Sequence, residues 1–192
     1  MKKKLKITLN APFTLAFALL CALATLLCAV SEECRYLVFS THAASFSDPL
    51  TYLRLFTHVL GHSGVEHLVS NMMLILLLGP ALEEKYGAKN LILMILTVAL
   101  VTGLLHNLLF PATLLLGASG VAFAMILLTS FSGFRDGEIP LTFILVAVLY
   151  LGRQIWQGIT VRDQISNLSH IAGGLVGSCA GWLLNRKPSG RF

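Results

Sequence analysis

Three short stretches of this chain hold the residue types that hydrolysis of an amide requires. Ser119 offers a hydroxyl within Gly117-Ala118-Ser119-Gly120, among the smallest side chains in the sequence, where an uncharged apolar helix is expected to begin. His170 offers an imidazole at the head of a run with glycine at every fourth residue, Gly173, Gly177 and Gly181. His67 and Asn71, four apart, project from one face of a third helix as hydrogen-bond donors. A nucleophile, a base to take its proton and donors toward an oxyanion are the parts of acyl-transfer catalysis. Each stretch also has a plainer reading. Small residues crowd helix contacts in membranes, glycine stripes pair helices, and polar side chains bond between helices at about 0.6 kcal/mol each.

What decides between these readings is whether the elements carrying the three stretches converge. The chain has 192 residues, 56% hydrophobic and only 12% charged, against roughly 25% charged in soluble domains. A polytopic membrane protein is expected. From Asn90 to Phe134 there is no Asp, Glu, Lys or Arg, long enough for two crossings at about 20 residues each. The net charge of +5 reflects Lys2, Lys3, Lys4 and Lys6 beside an apolar span, a cytoplasmic membrane flank rather than a nucleic-acid patch. The bilayer is therefore an expected partner and nucleic acid is not. Cys21, Cys28 and Cys179 fall in apolar spans and Cys34 in a loop, which suits packing better than a disulfide framework. The alternative for the N-terminus is a cleaved secretory signal; the run from Ala11 to Val30 is long for one and lacks a clear small-x-small site.

Six spans follow, at about 11–30, 64–82, 90–108, 118–133, 140–156 and 167–184, forming one all-α domain over 1–192. An interfacial loop after the first span carries Phe39, Phe46, Tyr52 and Phe56. Gly87 is placed as a C-cap and Pro140 as a first helical residue. Tyr150, Arg153 and Trp156 suit the outer interface. With both termini inside, Lys2, Lys3, Lys4, Lys6, Lys85, Lys89, Arg135, Arg186, Lys187 and Arg191 lie on the cytoplasmic side; only Arg35, Arg54, Arg153 and Arg162 of the 14 basic residues lie outside. Even-numbered spans then all run inward. His67 and Asn71 fall in the first two turns of the second, Ser119 opens the fourth and His170 falls in the first turn of the sixth. A fourth span of about 16 residues reaches some 24 Å, less than the roughly 30 Å core, so Ser119 should lie below the outer surface.

No Asp or Glu in a span is available to orient His170, which favours a Ser-His dyad over a triad. His58, His62 and His67 raise the possibility of a metal, but HExxH is absent and Glu66 points about 100° away from His67, so neither metal nor cofactor is expected. His42 and His106 read as ordinary loop and helix-end residues. An ion-coupled transporter is disfavoured because no charged residue lies deep in a span.

These residues resemble the rhomboid family of intramembrane serine proteases. The resemblance rests on His67-Leu68-Val69-Ser70-Asn71, Gly117-Ala118-Ser119-Gly120 and His170 with Gly173 and Gly177, supported by Gly79, Glu83 and Gly87 and by Arg54 before Thr57-His58. It implies a rhomboid-like six-helix bundle, Ser119 as nucleophile and His170 as general base. It further implies an oxyanion hole from the Ser119 N–H, His67 and Asn71, with His62 and Phe123 in supporting roles. The implied substrates are single-pass membrane proteins cut near the outer end of their helix, in a plasma membrane, reached by water through an outward-facing cavity. Leu53, Phe123 and Ser169 depart from the residues usual in the family at those places. The alternative within the same resemblance is a catalytically silent relative that binds membrane-protein helices without cutting them.

Overall fold

The computed structural model describes residues 8–131, 138–160 and 164–186. Lys2 to Lys6, the Ser132-Gly133 end of the fourth span, Arg135, Arg162, Lys187, Arg191 and the side chain of Arg153 lie outside the described residues. Among the described residues there are eight helices: α1 (Pro12–Val30), α2 (Glu32–Leu37), α3 (Pro49–Thr57), α4 (Val65–Tyr86), α5 (Ala88–Leu109), α6 (Ser119–Ser130), α7 (Leu141–Thr160) and α8 (Gln164–Asn185). An isolated antiparallel bridge joins Thr41 to Leu115. α1, α4 and α5 are each long and apolar enough to cross a bilayer; α6 is a shorter apolar helix, as is Leu141–Tyr150 within α7. The chain is an all-α, multi-pass integral membrane protein.

α6 is the hub. Gly120, Val121, Ala122, Ala124, Met125, Ile126, Leu127 and Leu128 are all buried, the mark of a helix that is apolar around its whole circumference. α4, α5, α7 and α8 pack around it. The closest approach is to α8, because glycines on α8 meet the α6 backbone directly. A Cβ at Gly173 would run into the Gly120 carbonyl, and one at Gly177 into that of Ala124. Lower down, a Cβ at Gly181 would meet the Phe131 side chain at 2.7 Å. The four-residue glycine repeat is thus a seat for α6.

α1 is fastened to α4 by one carboxylate. Glu83 accepts from the Phe13 N–H at 3.0 Å, the Thr14 N–H at 2.8 Å and the Thr14 hydroxyl at 2.7 Å, so donors that a helix start leaves without intrahelical partners are satisfied from α4. The Thr14 side chain occupies the space that Gly79 leaves open one turn away. α4 ends at Gly87, whose φ of +79° and N–H bond to the Glu83 carbonyl make it the expected C-cap.

The loop after α1 is more ordered than its mixed composition suggested. α3 starts at Asp48, which caps the Leu50 N–H at 2.9 Å and pairs with buried Arg54 at 2.9 Å. The Leu50 N–H and the Arg54 guanidinium hold the Asp48 carboxyl below its ordinary range. Thr57 bonds to the Val38 and Leu53 carbonyls, and Thr41 pairs with Leu115 through two backbone bonds of 2.9 and 3.0 Å. Leu53 is exposed. The loop is anchored instead by Arg54, Thr41 and Thr57.

Three boundaries and one cysteine differ from the sequence reading. α6 runs twelve residues, not sixteen, over its described part. α7 continues past Trp156 to Thr160. α8 begins at Gln164, so His170 sits in its second turn; a polar first turn can extend a helix beyond the apolar stretch that marks it in sequence. His42 lies in the loop between α2 and α3 and His106 in the last turn of α5, as expected, and both are buried: His42 stacks on Tyr36 and His106 Nε2 lies 3.1 Å from the Thr113 carbonyl. Cys21 and Cys28 are buried packing residues as expected, whereas Cys179 is exposed, on the side of α8 that faces the groove with α5.

Candidate active site

Ser119 is the first residue of α6, half-buried, with Ala118 as N-cap. At this position its hydroxyl stands beside the unpaired N–H groups and positive dipole end of a helix, which favour developing negative charge. The turn before it is held from three directions. The Gly117 N–H donates to the His58 carbonyl at 2.9 Å, the Ala118 N–H donates to His62 Nε2 at 3.3 Å, and Leu115 is tied to Thr41.

Gly117 shows why this turn needs glycine. Its φ of +131° is a conformation L side chains rarely adopt, and a Cβ there would lie 2.7 Å from His67 Cε1, 2.9 Å from His67 Nε2 and 3.8 Å from Asn71 Nδ2. α4 therefore presents both side chains against the backbone two residues ahead of Ser119. His67 Nδ1 lies 3.2 Å from the Ser63 hydroxyl; with that hydroxyl donating, Nε2 carries the proton and faces Gly117. Asn71 is buried, and among the described residues its Nδ2 has no hydrogen-bond partner. An unsatisfied buried donor is costly and calls for an explanation.

His170 reaches the same place from α8. Its ring stacks on Phe123 with centroids 4.2 Å apart and planes 7° from parallel. Phe123 lies four residues after Ser119, on the same face of α6. A Cβ at Gly120 would lie 3.3 Å from the Ser169 carbonyl, so the neighbours of Ser119 and of His170 are in backbone contact. Phe123 also meets Tyr150 of α7 edge-on at 5.8 Å.

His62, in the turn ahead of α4, links these parts. Its Nδ1 lies 3.1 Å from the Leu60 carbonyl and 3.3 Å from the Thr25 hydroxyl, and its ring meets that of His67 edge-on at 5.0 Å. A carbonyl only accepts, so Nδ1 carries the proton and Nε2 is free to accept from Ala118. Burial first, then nearby His67, push the His62 imidazole down to about 4 from an ordinary 6.5. His58 is likewise buried, bonded to the Arg54 carbonyl and close to Thr102 at 3.2 Å.

A polar hollow of about 460 Å³ at the head of α4, lined by Ser63, Gly64, Glu66, His67 and Ser70, gives access to His67. Ser119 is not among its walls. Sequence reasoning missed the His58 carbonyl and Ser63 as parts of the site. The Ser63-His67 spacing of four was a readable signal, while a backbone carbonyl leaves none.

The family model for the rhomboid domain matches residues 49–187. RHOMBOID-like protein 2 of Arabidopsis thaliana is 29% identical over 136 residues, 66% of this chain and 40% of its own length. Rhomboid protease GlpG of Salmonella choleraesuis (strain SC-B67) is 30% identical over 130 residues, 65% of this chain and 45% of its own. Rhomboid-like protease 3 of Toxoplasma gondii is 33% identical over 96 residues, 50% of this chain and 36% of its own. The chain thus spans less than half the length of these relatives.

Proposed function

For a chain that belongs to the rhomboid family, we propose that this one is an intramembrane serine endopeptidase working with a Ser119-His170 dyad on single-pass membrane proteins. The observation that carries the reading is the His170 ring stacked on Phe123, one helical turn from Ser119, beside the contact of Gly120 with α8. Ser119 Oγ attacks the scissile carbonyl while His170 takes its proton. The Ser119 N–H, His67 Nε2–H and Asn71 Nδ2–H stabilise the oxyanion. His170 then gives the proton to the leaving amine, and water repeats the sequence on the acyl-enzyme. The orphaned Asn71 amide supports this assignment, since a donor left without a partner at rest is available to charge that forms only in the reaction.

Substrate helices must open to expose a carbonyl, because a regular helix keeps its carbonyls in internal hydrogen bonds. Cleavage is therefore assigned to the outer end of substrate helices, where the starts of α4, α6 and α8 meet. The bias of basic residues supports a reading with both termini cytoplasmic; in this proposal the membrane is the plasma membrane and 1–192 is one transmembrane catalytic domain needing no cofactor.

The test is labelling of the purified protein with a fluorophosphonate, alongside cleavage of a single-pass substrate whose helix carries glycine near its outer end. Label should map to Ser119, and Ser119→Ala should abolish both label and cleavage while changing stability by less than about 1 kcal/mol. Cleavage that persists in Ser119→Ala refutes the dyad. Absence of both activities in the wild type, with helix binding intact, would establish the silent relative.

A further inference from the structure

The face of the bundle formed by α5 and α8 carries a feature that proteolysis does not use. The two helices leave between them a groove of about 380 Å³ with small side chains on its floor, among them Thr97, Ala172, Cys179 and Ala180, while Leu93, Leu175 and Leu183 stand exposed around it. It runs along α5 from Asn90 to Leu105, about 22 Å at the helical rise, more than one leaflet's half of the roughly 30 Å hydrocarbon core.

The two ends of the groove differ in chemistry. At the Leu105 and Ala172 end the walls are apolar. At the other end lie Asn90, whose Nδ2 donates to the Tyr86 carbonyl at 2.7 Å, and Asn185, whose Nδ2 donates to the Tyr86 hydroxyl at 2.9 Å. Lys89 and Arg186, next to Asn90 and Asn185 in the chain, are both exposed, and the Arg186 guanidinium lies 4.3 Å over the Trp182 ring. Of the neighbouring acids, Glu83 is held by Thr14 and Phe13, which leaves exposed Glu84 against Lys85, Lys89 and Arg186. A long apolar trough capped at one end by amides and excess positive charge has the polarity of an anionic phospholipid: acyl chain along the helices, phosphate at the basic mouth.

We infer that the α5–α8 groove is a binding site for one anionic phospholipid of the leaflet that bathes the Lys89–Arg186 end. The acyl chain lies over Thr97 and Cys179, and the headgroup phosphate takes its hydrogen bonds and charge from Asn90, Lys89 and Arg186. The assignment is independent of catalysis, because none of the residues lining the groove belongs to the Ser119-His170 site.

The experiment uses the whole chain extracted from bilayers holding equal amounts of phosphatidylglycerol and phosphatidylcholine, with retained lipid counted by native mass spectrometry. A single phosphatidylglycerol adduct is expected, and Lys89→Gln and Arg186→Gln should each cut its preference over phosphatidylcholine about fivefold. Thr97→Phe, which fills the trough from a membrane-facing position, should lower retention of both lipids. A second measurement leaves the trough walls intact: in a Trp156→Phe background the fluorescence of Trp182, beneath the Arg186 guanidinium, should be quenched more strongly by brominated-chain phosphatidylglycerol than by brominated-chain phosphatidylcholine. Equal retention and equal quenching by the two lipids, unmoved by Lys89→Gln and Arg186→Gln, would overturn the assignment. So would a dimer mass that Thr97→Phe abolishes, which would give the groove to a second copy.

Discussion

Asn71 separates two roles that a polar residue in a membrane helix can have. An amide that bridges helices would make Asn71→Ala destabilising, but among the described residues its Nδ2 is buried without a partner, so truncation removes an unsatisfied donor. Asn71→Ala should leave thermal stability in detergent unchanged or raised while lowering the cleavage rate by roughly 10². A rate equal to wild type with a lowered melting temperature would return the residue to helix-helix bonding. Gly117 makes the complementary case. Gly117→Ala places a methyl where His67 stands and forces a left-handed backbone on an L residue, at about 1–2 kcal/mol for the conformation alone. Turnover should fall by roughly 10² or more through displacement of His67, read as loss of kcat/KM with the fluorophosphonate label on Ser119 slowed in parallel.

Among the helices, α6 and α8 are matched backbone to backbone, and the glycine stripe has one consequence that plain helix propensity does not. Exchanging a mid-helix glycine for alanine ordinarily gains about 0.5–1 kcal/mol. Gly152 of α7 has nothing among the described residues near its Cβ position, so Gly152→Ala should raise stability by that amount. Gly173→Ala should do the reverse, because the added methyl meets the Gly120 carbonyl and overpacking at a fixed contact costs about 1–3 kcal/mol. Unfolding of the two variants side by side checks the sign. If Gly173→Ala is as stable as wild type, the two helices are not seated on each other as described. Gly173→Ala should also lose cleavage activity, since pushing α8 off α6 carries His170 away from Ser119.

Across the molecule, His62 ties the α1 residue Thr25, the turn before α4 and the start of α6 through one neutral imidazole. Protonation would turn Nε2 into a donor and break its bond with the Ala118 N–H. Because the folded protein holds this group near 4 against an ordinary 6.5, the unfolded chain binds the proton more readily. The contribution of His62 is therefore complete above about pH 6.5 and is lost as pH falls toward 4. Melting temperature should decline across that window, and His62→Gln, whose side chain gains no charge, should flatten the decline. An unchanged slope in His62→Gln would assign the loss to other groups.

Composition, charge placement and apolar span lengths in the sequence determined that the chain is an all-helical membrane protein, because each follows from local rules of hydrophobicity and helical periodicity; the family was suggested by the resemblance of its motifs and is shown by the match over residues 49–187. Ser119, His170, His67, Asn71 and the glycine stripe were legible for the same reason: small or polar residues within apolar helices stand out against their surroundings. Only the tertiary structure decided which contacts they make. Glu83 as the clamp on α1, the His58 carbonyl under Gly117, the burial of His42 and His106, and the trough between α5 and α8 all depend on residues far apart in the chain. Backbone acceptors, interhelical spacing and the accessible face of a helix are set by how helices pack, and packing leaves no periodic mark in a single chain's order of residues.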